Sequence, residues 1–203
     1  MDMQTKVNEI LDFALSRRNY VRGSLIGGAA ALVTPFSLGR AFAQGMSDVD
    51  ILQFALTLEH LEARMYSDML ATGILTGKEQ QYFQSFGAHE AAHVDALTNA
   101  LSAAGADPVQ ALESYNFPAF TNRGDILNFA RTAEELGVGA YQGAAPAIQN
   151  KDYLAAAGSI VQIEARHAAI IRLLIGADPV PAAVTSSLSV DQVLQTVNPI
   201  LGQ

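Results

Sequence analysis

The chain has 203 residues, with 12 Lys+Arg against 20 Asp+Glu, a formal net charge of −8 and no cysteine. That length suits one ordinary domain plus an extension, and the acidic balance argues against nucleic acid or anionic lipid as a partner. Without cysteine there is no disulfide and no thiolate-bound iron–sulfur or rubredoxin-type module.

Residues 1–43 read as an export signal rather than as part of a fold. Ser16-Arg17-Arg18-Asn19-Tyr20-Val21-Arg22 resembles the twin-arginine box. A mildly apolar run over 23–39, interrupted by Thr34, Pro35 and Ser37, is poor as a membrane-spanning helix. Ala41-Phe42-Ala43 then offers a small-x-small cleavage site. The expectation is export by the twin-arginine machinery, removal of 1–43, no stable membrane insertion, and a periplasmic or secreted domain over 44–203. An uncleaved N-terminal anchor is the competing reading. Residues 44–203 carry 7 Lys+Arg and 17 Asp+Glu, a net charge of −10. Twin-arginine export carries folded proteins, often with a cofactor loaded, so a metalloprotein is a natural passenger.

Four long helices and a tail follow in chain order. The first starts at a Ser47 cap, with Asp48 and Asp50 in its first turn, and stops before Gly73. Its apolar positions Ile51, Phe54, Leu58, Leu61, Met65 and Met69 recur at helical period. The second opens on Thr76-Gly77-Lys78-Glu79, a capping-box spacing, and runs to Ala104 before Gly105. The third covers about 125–149, with Pro146 kinking or ending its last turn. The fourth begins at Asp152 and stops at Gly176, and a short fifth, capped by Ser189, covers 190–197. The connections are short, long, short. The long one, 105–122, carries Pro108, Pro118 and an aromatic stretch from Tyr115 to Phe120 that suits packing against the bundle. Two antiparallel hairpins joined by one crossover give this pattern, whereas an up-down-up-down bundle needs only short links.

Two Glu-x-x-His tetrads, Glu90-Ala-Ala-His93 and Glu164-Ala-Arg-His167, lie inside the second and fourth helices. Positions i and i+3 share a helix face, so each tetrad aims a carboxylate and an imidazole at one point. Such a pair suits a borderline divalent transition metal: iron, manganese or zinc. The first and third helices carry a second repeat, Glu59-x-Leu61-x4-Tyr66 and Glu134-x-Leu136-x4-Tyr141. Seven residues fall about 20° short of two turns, so each Glu shares a face with its Tyr. The order along the chain is Glu, Glu-x-x-His, Glu, Glu-x-x-His, which reads as a duplicated hairpin. Glu62 and Glu135 compete with Glu59 and Glu134 for the central positions; the shared Tyr spacing favours Glu59 and Glu134. Tyr66 and Tyr141 suit hydrogen bonding to ligand carboxylates as well as ordinary packing. His60 and His89, with no Glu three before them, read as surface or secondary positions.

With these residues laid out, the chain resembles the ferritin-like family that includes plant desiccation-related proteins and many exported bacterial proteins. The resemblance is carried by Ile51 to Glu62, His89 to Val94, Gly137 to Pro146 and Ile163 to Ala169, and it covers most of 48–176. It implies an all-α fold, an antiparallel four-helix bundle with one long crossover and a short C-terminal helix. It also implies a ligand set of Glu59, Glu90, His93, Glu134, Glu164 and His167 around two divalent ions. Four carboxylates and two divalent ions sum to zero charge; without metal, some carboxylates in an apolar core must stay protonated. The Glu62 doublet and the glycine-rich third helix depart from storage ferritins, which argues against cage assembly and bulk iron storage. A smaller homo-oligomer stays open.

Two function classes follow. One is a dinuclear iron or manganese carboxylate protein, with zinc as a third candidate metal, suited to oxidation or peroxide chemistry. The other is a non-enzymatic stress- or desiccation-protective bundle in which metal is structural or absent.

Overall fold

Three of the four long helices begin where a side chain satisfies one of their first free amide groups. In α1 (Asp48–Ala71) the Ser47 hydroxyl accepts from the Asp50 amide, and the Asp50 carboxylate accepts from the Ser47 amide at 2.9 Å. Asn122 and Asn150 cap α3 (Arg123–Ala144) and α4 (Lys151–Leu174) through their side-chain oxygens. The structure, a computed structural model, describes residues 45–202, so the expected signal at 1–43 lies outside the described residues.

Helix α2 (Gly77–Ala103) departs from expectation at its start. Thr76 makes no side-chain cap, and Glu79, instead of reaching back to it, binds Arg123 of α3. Gly77 has φ +58°, a left-handed backbone that glycine accepts without strain and that replaces the capping box with a sharp turn. At the other end of the second hairpin, Pro146 sits in a short 3₁₀ turn, Ala145–Ala147, and stops α3 there. Helix α5 (Val190–Leu201) is a capping-box helix starting at Ser189. It runs four residues past its expected end, through Pro199, and closes on Gly202 at φ 75°.

Direction follows from contacts at the ends. Asp48, at the start of α1, accepts from the Gln149 and Asn150 amides just before α4, so α1 and α4 begin at the same end of the bundle. Arg123, at the start of α3, reaches Glu79 at the start of α2 and the Leu174 carbonyl at the end of α4. α1 therefore runs antiparallel to α2 and α3, and α4 runs parallel to α1. The main packing pairs are α1 with α2 and α3 with α4, as two hairpins require. Among the described residues the fold is all-helical.

The crossover, 104–122, travels back along α1 and is tied to it. Gln53 donates to the Asp107 carbonyl and accepts from the Val109 amide, and the His60 ring meets the Val109 carbonyl at 3.1 Å. Phe117 and Phe120 meet Phe129 of α3 edge to face, so the aromatic stretch does pack on the bundle. α5 lies over the α1–α3 groove, where Val193 and Val197 are buried against Phe54, Leu58, Leu61 and Ala140. The glycines of α3 make this possible. Leu188, just before α5, donates to the Gly139 carbonyl, and a Cβ on Gly143 would fall 1.8 Å from the Leu188 carbonyl oxygen. Among the described residues, no helix is long and apolar enough to cross a membrane.

Candidate metal centre

The bundle places one acid or acid–imidazole pair from each long helix at mid-height. α1 contributes Glu59, α2 Glu90 and His93, α3 Glu134, and α4 Glu164 and His167. All six are buried, none more than 4% exposed. Buried acids are rare unless compensated, so four of them in one place beside two buried imidazoles demand a physical reason.

Their geometry supplies it. Nδ1 of His93 lies 3.0 Å from Glu90 Oε2, 3.2 Å from Glu59 Oε2 and 3.2 Å from Glu164 Oε1. Nδ1 of His167 lies 3.0 Å from Glu90 Oε1 and 3.3 Å from Glu134 Oε2. One N–H cannot serve three acceptors. Several of these atoms are close yet not aligned as hydrogen bonds: Glu90 Oε1, Glu134 Oε2, both Glu164 oxygens and His167 Nδ1 have no hydrogen-bond partner. Neighbouring ligands at right angles on bonds of about 2.1 Å stand roughly 3.0 Å apart, the separation these atoms keep.

Two groups of four ligand atoms, each group within 4.8 Å, emerge. One is Glu59, Glu90, His93 and Glu164; the other is Glu90, Glu134, Glu164 and His167. Glu90 and Glu164 belong to both. The set is symmetric, with one private Glu and one private His on each side and two shared carboxylates between.

The tyrosines are exchanged across the symmetry. Tyr66 of α1 donates to Glu134 of α3, and Tyr141 of α3 donates to Glu59 of α1. Each hydroxyl thus fixes the private carboxylate of the opposite hairpin, in the way groups behind metal ligands orient them. The seven-residue spacing places each Tyr on the Glu face of its own helix, but only the antiparallel crossing of α1 and α3 decides which carboxylate it reaches.

The structure also separates the competing acids. Glu135 turns away and pairs with Arg172 of α4 at the half-exposed edge. Glu62 is buried beside the cluster yet belongs to neither group of four. His89, which carries no spacing signal, is half-buried with its Nδ1 2.8 Å from His167 Nε2 and its ring stacked on that imidazole. His167 thus faces the Glu90 and Glu134 carboxylates with Nδ1 and His89 with Nε2.

Residues 47–177 match the family model described as a ferritin-like domain. The chain belongs to the ferritin-like domain family. None of the curated proteins compared with it matches. The four helices of the matched region carry all six central residues, whereas α5 lies beyond it.

Electrostatics show what this ferritin-like core must do on its own. Burial, then the charges of Glu134 and Glu59, push Glu164 up to about 8. Burial and the Glu164 charge push Glu90 up to about 7. Burial acts against charging His167, yet the Glu134 and Glu90 carboxylates hold it up at about 10. The same contest raises His93 well above its ordinary value, with Glu59 the largest opposing charge. Glu59 answers in kind: burial, the largest influence, raises it, but the His93 charge and hydrogen bonds from His93, Glu90 and Tyr141 together bring it below the usual carboxylate value. Protons shared among these groups thus balance the buried negative charge, and cations among the same atoms would do so more fully.

Proposed function

We propose that this ferritin-like domain holds a dinuclear iron or manganese centre and works in oxidation or peroxide chemistry outside the cytoplasm. The carrying observation is the pair of four-ligand groups that share Glu90 and Glu164. Glu59 and His93 would hold one ion, Glu134 and His167 the other, and the shared carboxylates both. Iron or manganese held there would supply redox and Lewis-acid chemistry toward oxygen or peroxide. The protein's part is to keep four carboxylates converged, to orient Glu59 and Glu134 through Tyr141 and Tyr66, and to exclude bulk water from buried ligands.

Metal analysis of the mature domain, purified without chelator, is expected to find close to two ions per chain. Glu90→Ala or Glu164→Ala, each removing a shared ligand, should lose both ions, whereas Glu134→Ala should retain about one. Steady-state consumption of peroxide or ferrous iron by the loaded protein then tests the chemistry. A protein that binds neither iron, manganese nor zinc would end the proposal.

Export belongs to the same reading and is supported by the twin-arginine-like box and the Ala41-Phe42-Ala43 site. Replacing Arg17 and Arg18 together by Lys is expected to leave the uncleaved precursor inside the cell. Unchanged delivery of the 44–203 domain to the periplasm or medium would remove that element and leave the metal reading intact.

A further inference from the structure

Glu62 stands one turn beyond Glu59 on α1 and is 3% exposed. Burial, then the charges of Glu164 of α4, Glu134 of α3, Glu90 of α2 and Glu59 on its own helix, hold its carboxyl well above the usual carboxylate value, so it ionises only where added positive charge compensates. Gly137 of α3 makes room for it. A Cβ there would meet Glu62 Oε1 at 3.3 Å and Glu164 Oε2 at 3.4 Å, so both carboxylates crowd the same face of that glycine. On its other side Glu62 borders a cavity of about 40 Å³ beneath α5, among Leu58, Leu61, Phe129, Leu136 and Ile200, and is the one charged residue in that lining. Apolar walls on one side and four carboxylates on the other leave positive charge within the metal centre as the compensation for an ionised Glu62.

We propose that Glu62 is a fifth carboxylate of the centre, outside both four-ligand groups, whose charge selects a more highly charged pair of cations. This rests on the dinuclear reading above. Four carboxylates neutralise two divalent ions; the fifth leaves a charge of −1, which one trivalent ion offsets. Glu62 touches no ion in this arrangement and acts through the field at the shared Glu164 side.

The test uses redox-inert probes on the full mature domain: gallium(III), supplied as its nitrilotriacetate complex, competing with zinc(II). Glu62→Gln keeps the shape and removes the charge; Glu62→Met removes it without an amide. Both variants are expected to bind two ions in total and to lower the bound gallium-to-zinc ratio on the order of tenfold. A fall smaller than threefold in the folded, loaded variants would overturn the proposal, since a remote or neutral Glu62 exerts no such field. Loss of total binding would also overturn it, because Glu62 would then be a ligand itself. A parent protein that binds neither ion would sink the dinuclear reading as well, and so separates the two failures.

Discussion

Protein stripped by chelator and then given ferrous or manganous ions at a thousandfold excess over the dissociation constant of each site is expected to melt about 20 °C higher. The reasoning is linkage. An ion that binds only the native state at that excess stabilises it by roughly 4 kcal/mol, so two ions contribute about 8 kcal/mol. For a domain of this size each kcal/mol moves the midpoint by about 2–4 °C. Native-only binding is assured by the source of the ligands: residues 59, 90, 93, 134, 164 and 167 lie on four helices and have no reason to converge in an unfolded chain. Zinc should stabilise similarly, because the effect depends on charge and coordination rather than on redox state. The Glu90→Ala/Glu164→Ala double variant should lose the gain, since each substitution removes an acid that both ligand groups use. Scanning calorimetry that shows a flat midpoint across all three metals would refute the centre.

Much of this was legible in the sequence where a local rule decides the outcome. Ser47, Ser189 and Gly176 mark helix ends because capping and left-handed backbone are properties of a few neighbouring residues. The Glu-x-x-His tetrads were legible because i,i+3 geometry survives any packing arrangement. Thr76 misleads for a physical reason: its spacing to Glu79 fits a capping box, but Gly77 turns the chain and Arg123, 44 residues away, takes the carboxylate. Glu62 and Glu59 lie about 60° apart on the helical wheel, so both can face inward, and only the packed bundle, with Glu62 set against Gly137 of α3, shows that both do. Glu135 is decided by Arg172 and the tyrosine pairing by how α1 crosses α3. His89 had no sequence signal at all, since its partner is an imidazole on a different hairpin.

Stability of the metal-free protein is expected to fall as pH rises from about 5 toward 9, opposite to the behaviour of a core rich in ion-paired carboxylates. Glu90 and Glu164 titrate near 7 and 8 in the fold against a usual 4.5. A carboxyl raised in this way contributes fully below about 4.5 and loses that contribution as pH climbs through its folded value. His167, near 10 in the fold against a usual 6.5, has the same sign: its contribution is complete below 6.5 and is lost as pH rises toward 10. Each tenfold change in proton affinity is worth about 1.4 kcal/mol, so the combined loss across neutral pH amounts to several kcal/mol. Glu59, displaced downward, works the other way, but its loss falls at acid pH and leaves this window untouched. Metal reverses the trend, because ions bind the deprotonated carboxylates and the freed imidazole nitrogens, and affinity rises as protons leave. The separation between loaded and metal-free melting temperatures should therefore widen steadily from pH 5.5 through 7 to 8.5. Midpoints measured with and without manganese at those three values decide it: parallel curves would mean that the six buried groups do not exchange protons for cations.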